Sequence, residues 1–172
     1  GLSRLWGTDL PETHDLMKIG SDLPVCINQK TQHMKGCGEV LSEINTFPNL
    51  PILLVNPLKK VSTQTVFSRL KNKKNPPLLK YEKLFKTKND CINWLLLQRN
   101  DLMEPAVSIE PVISEVLQLI SNQISVKKVS MSGSGATCFG VFENKHDCDL
   151  AMKKVRRERP DWWSVSTEII ST

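Results

Sequence analysis

The chain has 172 residues, enough for one domain with a real core or for one domain and a piece of another. Its 40% hydrophobic and 24% charged residues exclude a disordered chain, and no apolar run approaches the ~18 residues of a membrane span. With 23 basic and 18 acidic residues the net charge is +5, a mild lean toward anionic partners.

In chain order, residues 1–47 come first. Leu5, Trp6, Leu10, Leu16, Met17 and Ile19 are apolar, but no full βα unit closes before Gly20. This segment is expected to be the tail of another domain. The chain begins without methionine and in mid-pattern, which points to a fragment, and the absence of a signal peptide at its start gives a cytoplasmic expectation. Gly20, Ser21, Asp22, Leu23 and Pro24 follow, then Gly36, Cys37, Gly38 and Glu39. Asp22 stands between a small residue and a proline-fixed turn. Its carboxylate fits either a base or electrostatic orienter at a helix end, or a plain helix cap or turn aspartate. Gly36 and Gly38 fit a hairpin turn with no further role.

From residue 48 the pattern is mixed α and β. Ile52 to Val55 is a short apolar strand between Pro51 and Pro57. Ser62 offers a hydroxyl at a helix start, with Val66, Phe67 and Leu70 as one apolar face. A Lys/Asn/Pro-rich loop, 71–77, comes next, and helical spacing returns at Cys91, Trp94 and Leu95. A longer helix opens near Pro111, with Ile109, Val112, Ile113, Val116, Leu117 and Ile120 on one side. Strands follow at 126–131 and 137–142, joined by a loop too short for a parallel crossover and hence antiparallel. A helix then carries Cys148, Ala151, Met152 and Val155 on its buried face, and Trp163, Val165, Thr167 and Ile169 alternate as in a half-buried strand. The order β, helices, β, β, α, β predicts an α+β fold, a two-layer sandwich of an antiparallel sheet backed by helices.

Five cysteines, Cys26, Cys37, Cys91, Cys138 and Cys148, form no CxxC pair, which favours buried reduced thiols over a disulfide framework or zinc site. His14, His33 and His146 lack metal-ligand spacing. The cation clusters 71–74 and 153–159 lack the interleaved aromatics of a base-stacking surface, and the second lies on the solvated side of its helix. An RNA-binding sheet displays aromatics on its central strands, yet Phe139 and Phe142 fall on opposite faces of theirs.

The stretch MSGSGATCFGVF, Met131 to Phe142, sets two glycines around a serine between two apolar runs. Gly133 and Gly135 remove β-carbons at a strand end, so the backbone can turn tightly or let a ligand come close. Gly133, Ser134 and Gly135 are candidates to give backbone N–H donors to an anion.

Taken together, IGSDLPVCI, KGCGE, LLVNP, VSTQTVF and MSGSGATCFGVF resemble, in order and spacing, the GHMP kinases. The likeness is to their 4-diphosphocytidyl-2-C-methylerythritol kinases of the non-mevalonate isoprenoid pathway. The resemblance implies a catalytic acid/base at Asp22 and a substrate loop at Gly36, Cys37 and Gly38. It implies a cytosine site at Ser62, Thr63 and Phe67, although Phe67 alone fits helix core equally well. Gly133, Ser134 and Gly135 would lie on the phosphate side. It also implies a ferredoxin-like carboxy-terminal domain at 48–172, preceded by a remnant of the amino-terminal domain at 1–47. ATP and Mg2+ are the implied cofactors, bound mainly outside this chain, because the glycine- and serine-rich ATP loop is not in these residues. The implied partner is a small cytidine-diphosphate substrate, with no nucleic acid or membrane, and the parent protein is expected to be a monomer or weak dimer. Lys59 and Lys60 stand where relatives tend to have uncharged residues. Another GHMP kinase, of homoserine or mevalonate, and a non-catalytic ferredoxin-like binding module are the alternative expectations.

Overall fold

In the computed structural model, residues 7, 9, 11–27, 30–44, 47–78, 85 and 87–169 are described. Leu5, Trp6 and Leu10 lie outside them. The chain forms two compact units, residues 1–47 with 171–172, and residues 48–170.

The first unit holds helix α1 (Thr13–Ile19), helix α2 (Leu23–Ile27) and a hairpin of strands β1 (Gln32–Lys35) and β2 (Val40–Glu43). Leu16 is the buried residue of α1, and Pro24 is buried in the first turn of α2, where its missing N–H costs no helical bond. The hairpin pairs Gln32 with Glu43 and Lys35 with Val40, and the four residues between turn the chain. Lys30 closes its open end by an ion pair to Glu43 at 2.8 Å.

The second unit runs β3 (Leu50–Asn56), α3 (Thr63–Ser68), α4 (Lys88–Leu96), α5 (Met103–Ile109), α6 (Val112–Ser121), β4 (Val126–Met131), β5 (Cys138–Phe142), α7 (Lys145–Glu158) and β6 (Trp163–Ile169). Its sheet has the order β4-β5-β3-β6 with every neighbour antiparallel. Counted within the unit that order is second, third, first, fourth strand, the ferredoxin-like arrangement expected from the sequence. The pairing of β4 with β5 is antiparallel, as the short loop required.

One face of the sheet makes the core. Leu53, Val55, Cys138 and Phe142 are fully buried there, against Ile113, Val116 and Ile120 of α6 and Cys148 and Val155 of α7. The helical spacing that predicted these two faces is the spacing that buries them, and each large side chain so buried contributes roughly 1.5–3 kcal/mol. A Cβ on Gly140 would stand 2.5 Å from Ile120 Cγ2, so this glycine lets α6 settle onto β5. Phe142 lies on this face, while Phe139, opposite Leu54 on β3, lies on the other and is half-buried.

Several expectations shift. Strand β3 begins at Leu50, so Pro51 is inside it and not a boundary; β5 pairs with β3 only at Ile52–Val55, and near a strand end a missing donor is tolerated. Ile109 does not belong to the helix after Pro111 but ends a separate helix, α5, because proline stops one helix and starts the next. The phase of β6 is inverted at its start: Trp163 is 47% exposed and Ser164 is buried. The reason is tertiary. Trp162 is buried just before the strand with the Arg159 guanidinium 3.8 Å over its ring, and Ser164 and Ser166 then pair with the core-facing Val55 and Leu53. Ser166 is compatible with that face because its hydroxyl meets Lys145 Nζ at 2.7 Å and Cys148 Sγ at 3.1 Å.

Candidate functional site

The first unit brings two of the sequence motifs together. The Gly20 carbonyl accepts from Leu23 N–H at 3.1 Å and the Asp22 carbonyl from Cys26 N–H at 3.1 Å, so Asp22 sits in the turn that opens α2. Its side chain is exposed and makes no hydrogen bond among the described residues. The carboxylate is therefore not spent as a helix cap, while the placement of Asp22 in a turn agrees with the plain turn reading. Across from it lies the Gly36–Glu39 turn. Gly36 has φ +69° and Gly38 φ +115°, backbone conformations in which glycine carries no steric cost. A Cβ on Gly38 would overlap the carbonyl oxygen of Ser21. The hairpin tip thus rests directly on the turn that carries Asp22. The Glu39 carboxylate folds back over Gly36 and accepts the Cys37 N–H at 2.6 Å, so these glycines serve the hairpin turn as well as the contact.

The second unit joins the other two. Ser62 caps α3, its hydroxyl accepting the Thr65 N–H at 3.3 Å. One residue on, Thr63 Oγ1 lies 2.8 Å from Ser134 Oγ, a hydrogen bond that ties the start of α3 to the β4–β5 turn. That turn is closed by Ser132 N–H to the Thr137 carbonyl at 2.9 Å and Gly135 N–H to the Ser132 carbonyl at 3.0 Å. Gly133 has φ +55° and Gly135 φ +92°, and the Gly135–Ala136 peptide is cis. A Cβ on Gly135 would come within 2.9 Å of Met131 Sδ, so that glycine also makes room for the core.

Phe67 does not belong to the core. It is 51% exposed while its neighbour Val66 is fully buried, because α3 is six residues long and turns one narrow face inward. The expected apolar face of Val66, Phe67 and Leu70 therefore reduces to Val66, with Leu70 half-buried, and the Phe67 ring stands where a flat ligand can stack on it. Ahead of α3, Leu58 adopts φ +58°, held by its N–H to Asn56 Oδ1 at 2.7 Å, and Lys59 and Lys60 project into solvent.

Two asparagines passed over in the sequence support this cluster. Asn56 Nδ2 donates to Thr137 Oγ1 at 2.8 Å, and Asn100 Nδ2 donates to the carbonyls of Met131 at 2.8 Å and Gly133 at 2.9 Å. A sequence signal existed in each case: Asn before Pro, and Asn-Asp before a helix, both turn formers whose side chains reach backbone groups. Asn100 sits between Arg99 and Asp101, and the Arg99 guanidinium beside Asp101 holds that carboxyl below its ordinary range. Cavities of about 360 and 480 Å³ flank this segment; Arg69, Asn72 and Glu104 help line the first, and Leu95, Lys128 and Phe139 the second. Burial holds the Lys128 ammonium below the usual lysine range, and its Nζ donates to the Gln98 carbonyl at 2.8 Å after the end of α4.

Residues 84–161 match the family described as GHMP kinases C terminal. The chain carries a GHMP kinase C-terminal domain. It is 42% identical over 161 residues to the 4-diphosphocytidyl-2-C-methyl-D-erythritol kinase of Dinoroseobacter shibae, covering 94% of this chain and 55% of that protein. It is 39% identical over 174 residues to the kinase of the same name from Rhizobium etli, covering 99% and 58%. The chain thus spans little more than half the length of these relatives. Its fold is also that of a crystal structure of 4-(cytidine 5'-diphospho)-2C-methyl-D-erythritol kinase, with a TM-score of 0.73 at 22% identity over 96% of this chain and 60% of that one.

The two cation clusters are placed differently in this GHMP kinase domain. Lys71 reaches Glu104 only at 3.4 Å and both stay exposed, Arg156 is engaged with the Ser164 carbonyl at 2.7 Å, and Arg159 covers Trp162. Three thiols, Cys91, Cys138 and Cys148, are buried, but Cys26 and Cys37 are exposed, against the expectation that all are buried. Cys26 stands in the five-residue helix α2 and Cys37 in the exposed hairpin turn. No helix among the described residues is long and apolar enough to cross a membrane.

Proposed function

We propose that this chain is the carboxy-terminal part of an ATP-dependent kinase. In this reading the enzyme phosphorylates the 2-hydroxyl of 4-diphosphocytidyl-2-C-methyl-D-erythritol. Residues 1–47 are then the end of its amino-terminal domain, and 48–172 the carboxy-terminal domain. The observation that carries the reading is the 2.8 Å contact of Thr63 with Ser134, which unites two motifs 71 residues apart in the sequence. The names of the relatives, at 42% and 39% identity, support the same substrate.

The roles follow from chemistry. Asp22, a solvated carboxylate free of internal hydrogen bonds, takes the proton of the substrate hydroxyl as its oxygen attacks the γ-phosphorus. The new O–P bond forms, the bond from that phosphorus to the β,γ-bridging oxygen breaks, and ADP leaves. Gly36, Cys37 and Gly38 keep the hairpin tip against the Asp22 turn and shape the substrate wall. Phe67 offers its exposed face to the cytosine ring, with Ser62 and Thr63 at its side. Of Gly133, Ser134 and Gly135, the first two turn backbone N–H groups toward a phosphate, while the Gly135 N–H is spent on the Ser132 carbonyl and closes the turn. ATP would be gripped mainly by residues outside this chain. The described residues gather no group of three or more His, Cys, Asp or Glu side chains able to hold a metal ion; Mg2+ in such a reaction is held by one or two carboxylates together with the phosphates of the nucleotide.

The test is a coupled ADP-release assay on the parent protein with ATP and each candidate alcohol. Turnover with the cytidine-diphosphate substrate is expected; turnover only with homoserine or mevalonate would replace this reading. The 172-residue chain by itself should not exceed a no-enzyme blank.

A further inference from the structure

The first half of the β4–β5 turn has little packing to hold it, although Ala136 at its far end is buried. Ser132 and Gly133 are exposed, and a Cβ on Gly133 would meet nothing within 4 Å. Its backbone is fixed instead by the Asn100 side chain. Both hydrogens of the Asn100 amide are donated, to Met131 O at 2.8 Å and Gly133 O at 2.9 Å, and its own oxygen accepts the Leu102 N–H at 2.9 Å. Every hydrogen-bonding group of that amide is used on backbone.

The consequence concerns the other side of the turn. In a trans peptide the N–H points opposite to the C=O of the same unit. Because the Gly133 carbonyl is held toward Asn100, the Ser134 N–H of that peptide is aimed away from it. The preceding Gly133 N–H and this Ser134 N–H have no hydrogen-bond acceptor among the described residues. Two successive free N–H groups, with a left-handed glycine between them, make a concavity suited to an anion. The Ser134 hydroxyl, on the same residue, is meanwhile fixed by Thr63.

We infer that Asn100 is a positioning residue: by gripping the Met131 and Gly133 carbonyls it presets the Gly133 and Ser134 N–H groups as an anion receptor. The inference rests on the kinase reading only for the identity of the anion, a phosphoryl group. Its rationale is preorganisation, since donors already aimed need no reordering when charge arrives.

The test compares wild type with N100D and N100S. N100D keeps the shape but turns two donors into acceptors facing two carbonyls. Amide hydrogen exchange of Ser132 and Gly135, the two bonded amides of the turn, should rise at least tenfold over wild type, while the β5 amides stay protected. As pH falls toward 5 the introduced carboxyl takes up a proton and donates again, so the excess over wild type should shrink for N100D alone. N100S retains one donor and should be intermediate; it decides the matter by the same amides if N100D does not fold. In the parent kinase, N100D should lower kcat at least tenfold with the KM for the cytidine substrate within about twofold. Wild-type exchange at Ser132 and Gly135 in both variants, or a kcat unchanged by N100D, overturns the inference. A wild-type parent inactive on every GHMP substrate would remove the kinase reading instead, and the exchange data would still decide the role of Asn100.

Discussion

Thr63 Oγ1 and Ser134 Oγ meet at 2.8 Å, each on a separate glycine- or hydroxyl-rich motif and each near the surface. An exposed hydroxyl pair contributes little to stability, of order 0.5–1.5 kcal/mol. Its value is in register: it fixes where α3, and hence Phe67, stands relative to the β4–β5 turn. T63V and S134A should each lower stability by less than about 1 kcal/mol, and a double-mutant cycle should show coupling of roughly 0.5 kcal/mol. Strictly additive effects by denaturant unfolding would mean that the hydroxyls do not meet in solution.

Gly38 and Gly133 both have positive φ, but their surroundings differ. At Gly38 an added methyl group collides with the Ser21 carbonyl, and at Gly133 it enters open space. G133A should cost about 1–2 kcal/mol, the strain of a left-handed alanine alone. G38A should do more, because the hairpin tip must also lift off the Asp22 turn; in the parent kinase it should depress activity well beyond its effect on melting temperature. Equal effects of the two substitutions on activity would argue against a hairpin that supports Asp22.

Asp22 is exposed and has no side-chain partner among the described residues, so replacing it leaves nothing buried and unpaired. D22N in the parent kinase should therefore leave the melting temperature unchanged within a degree or two. Its kcat should fall by two to four decades if the carboxylate is the base. A loss of less than tenfold removes it from that role.

Phe67 should behave as a binding residue and not as core. With the ring 51% exposed, F67A should alter stability by no more than about 0.5 kcal/mol. Loss of a base-stacking ring costs about 1–3 kcal/mol in binding. Calorimetric titration of the parent protein with a cytidine nucleotide should show affinity reduced at least fivefold, and an unaltered affinity would move the cytosine site elsewhere.

The five cysteines should divide two to three on brief alkylation at pH 8, Cys26 and Cys37 reacting and the buried three not. Burial pushes the thiols of Cys91 and Cys138 up to about 12. Well below pH 9 these thiols are neutral in both the folded and unfolded chain and their titration is silent. Between pH 9 and 12 the unfolded chain loses their protons first, so folding stability should fall as pH rises through that window. Replacing both by alanine or valine should flatten this alkaline loss, which unfolding curves at pH 8 and 10.5 would show.

Much of the architecture was legible in the residues because burial imposes a period. The faces of α6 and α7 and the strands at 126–131 and 163–169 follow from apolar spacing alone, and the short link between β4 and β5 forced their antiparallel pairing. The motifs were legible too, since glycine at a turn and serine at a helix start answer to local backbone demands. What spacing did not carry was the choice among equivalents. Val66 and Phe67 are both apolar, and only the packing of α3 on the sheet decided that one is buried and the other displayed. Trp163 and Ser164 alternate either way, and the buried Trp162 beneath Arg159 set their phase. Asn100 is an ordinary turn residue until the fold carries it to a strand end 31 residues away in sequence. Local pattern thus determined the elements and the candidate motifs. Long-range hydrogen bonds, invisible to any period, decided which backbone groups of the glycine turn are spent and which remain free to receive an anion.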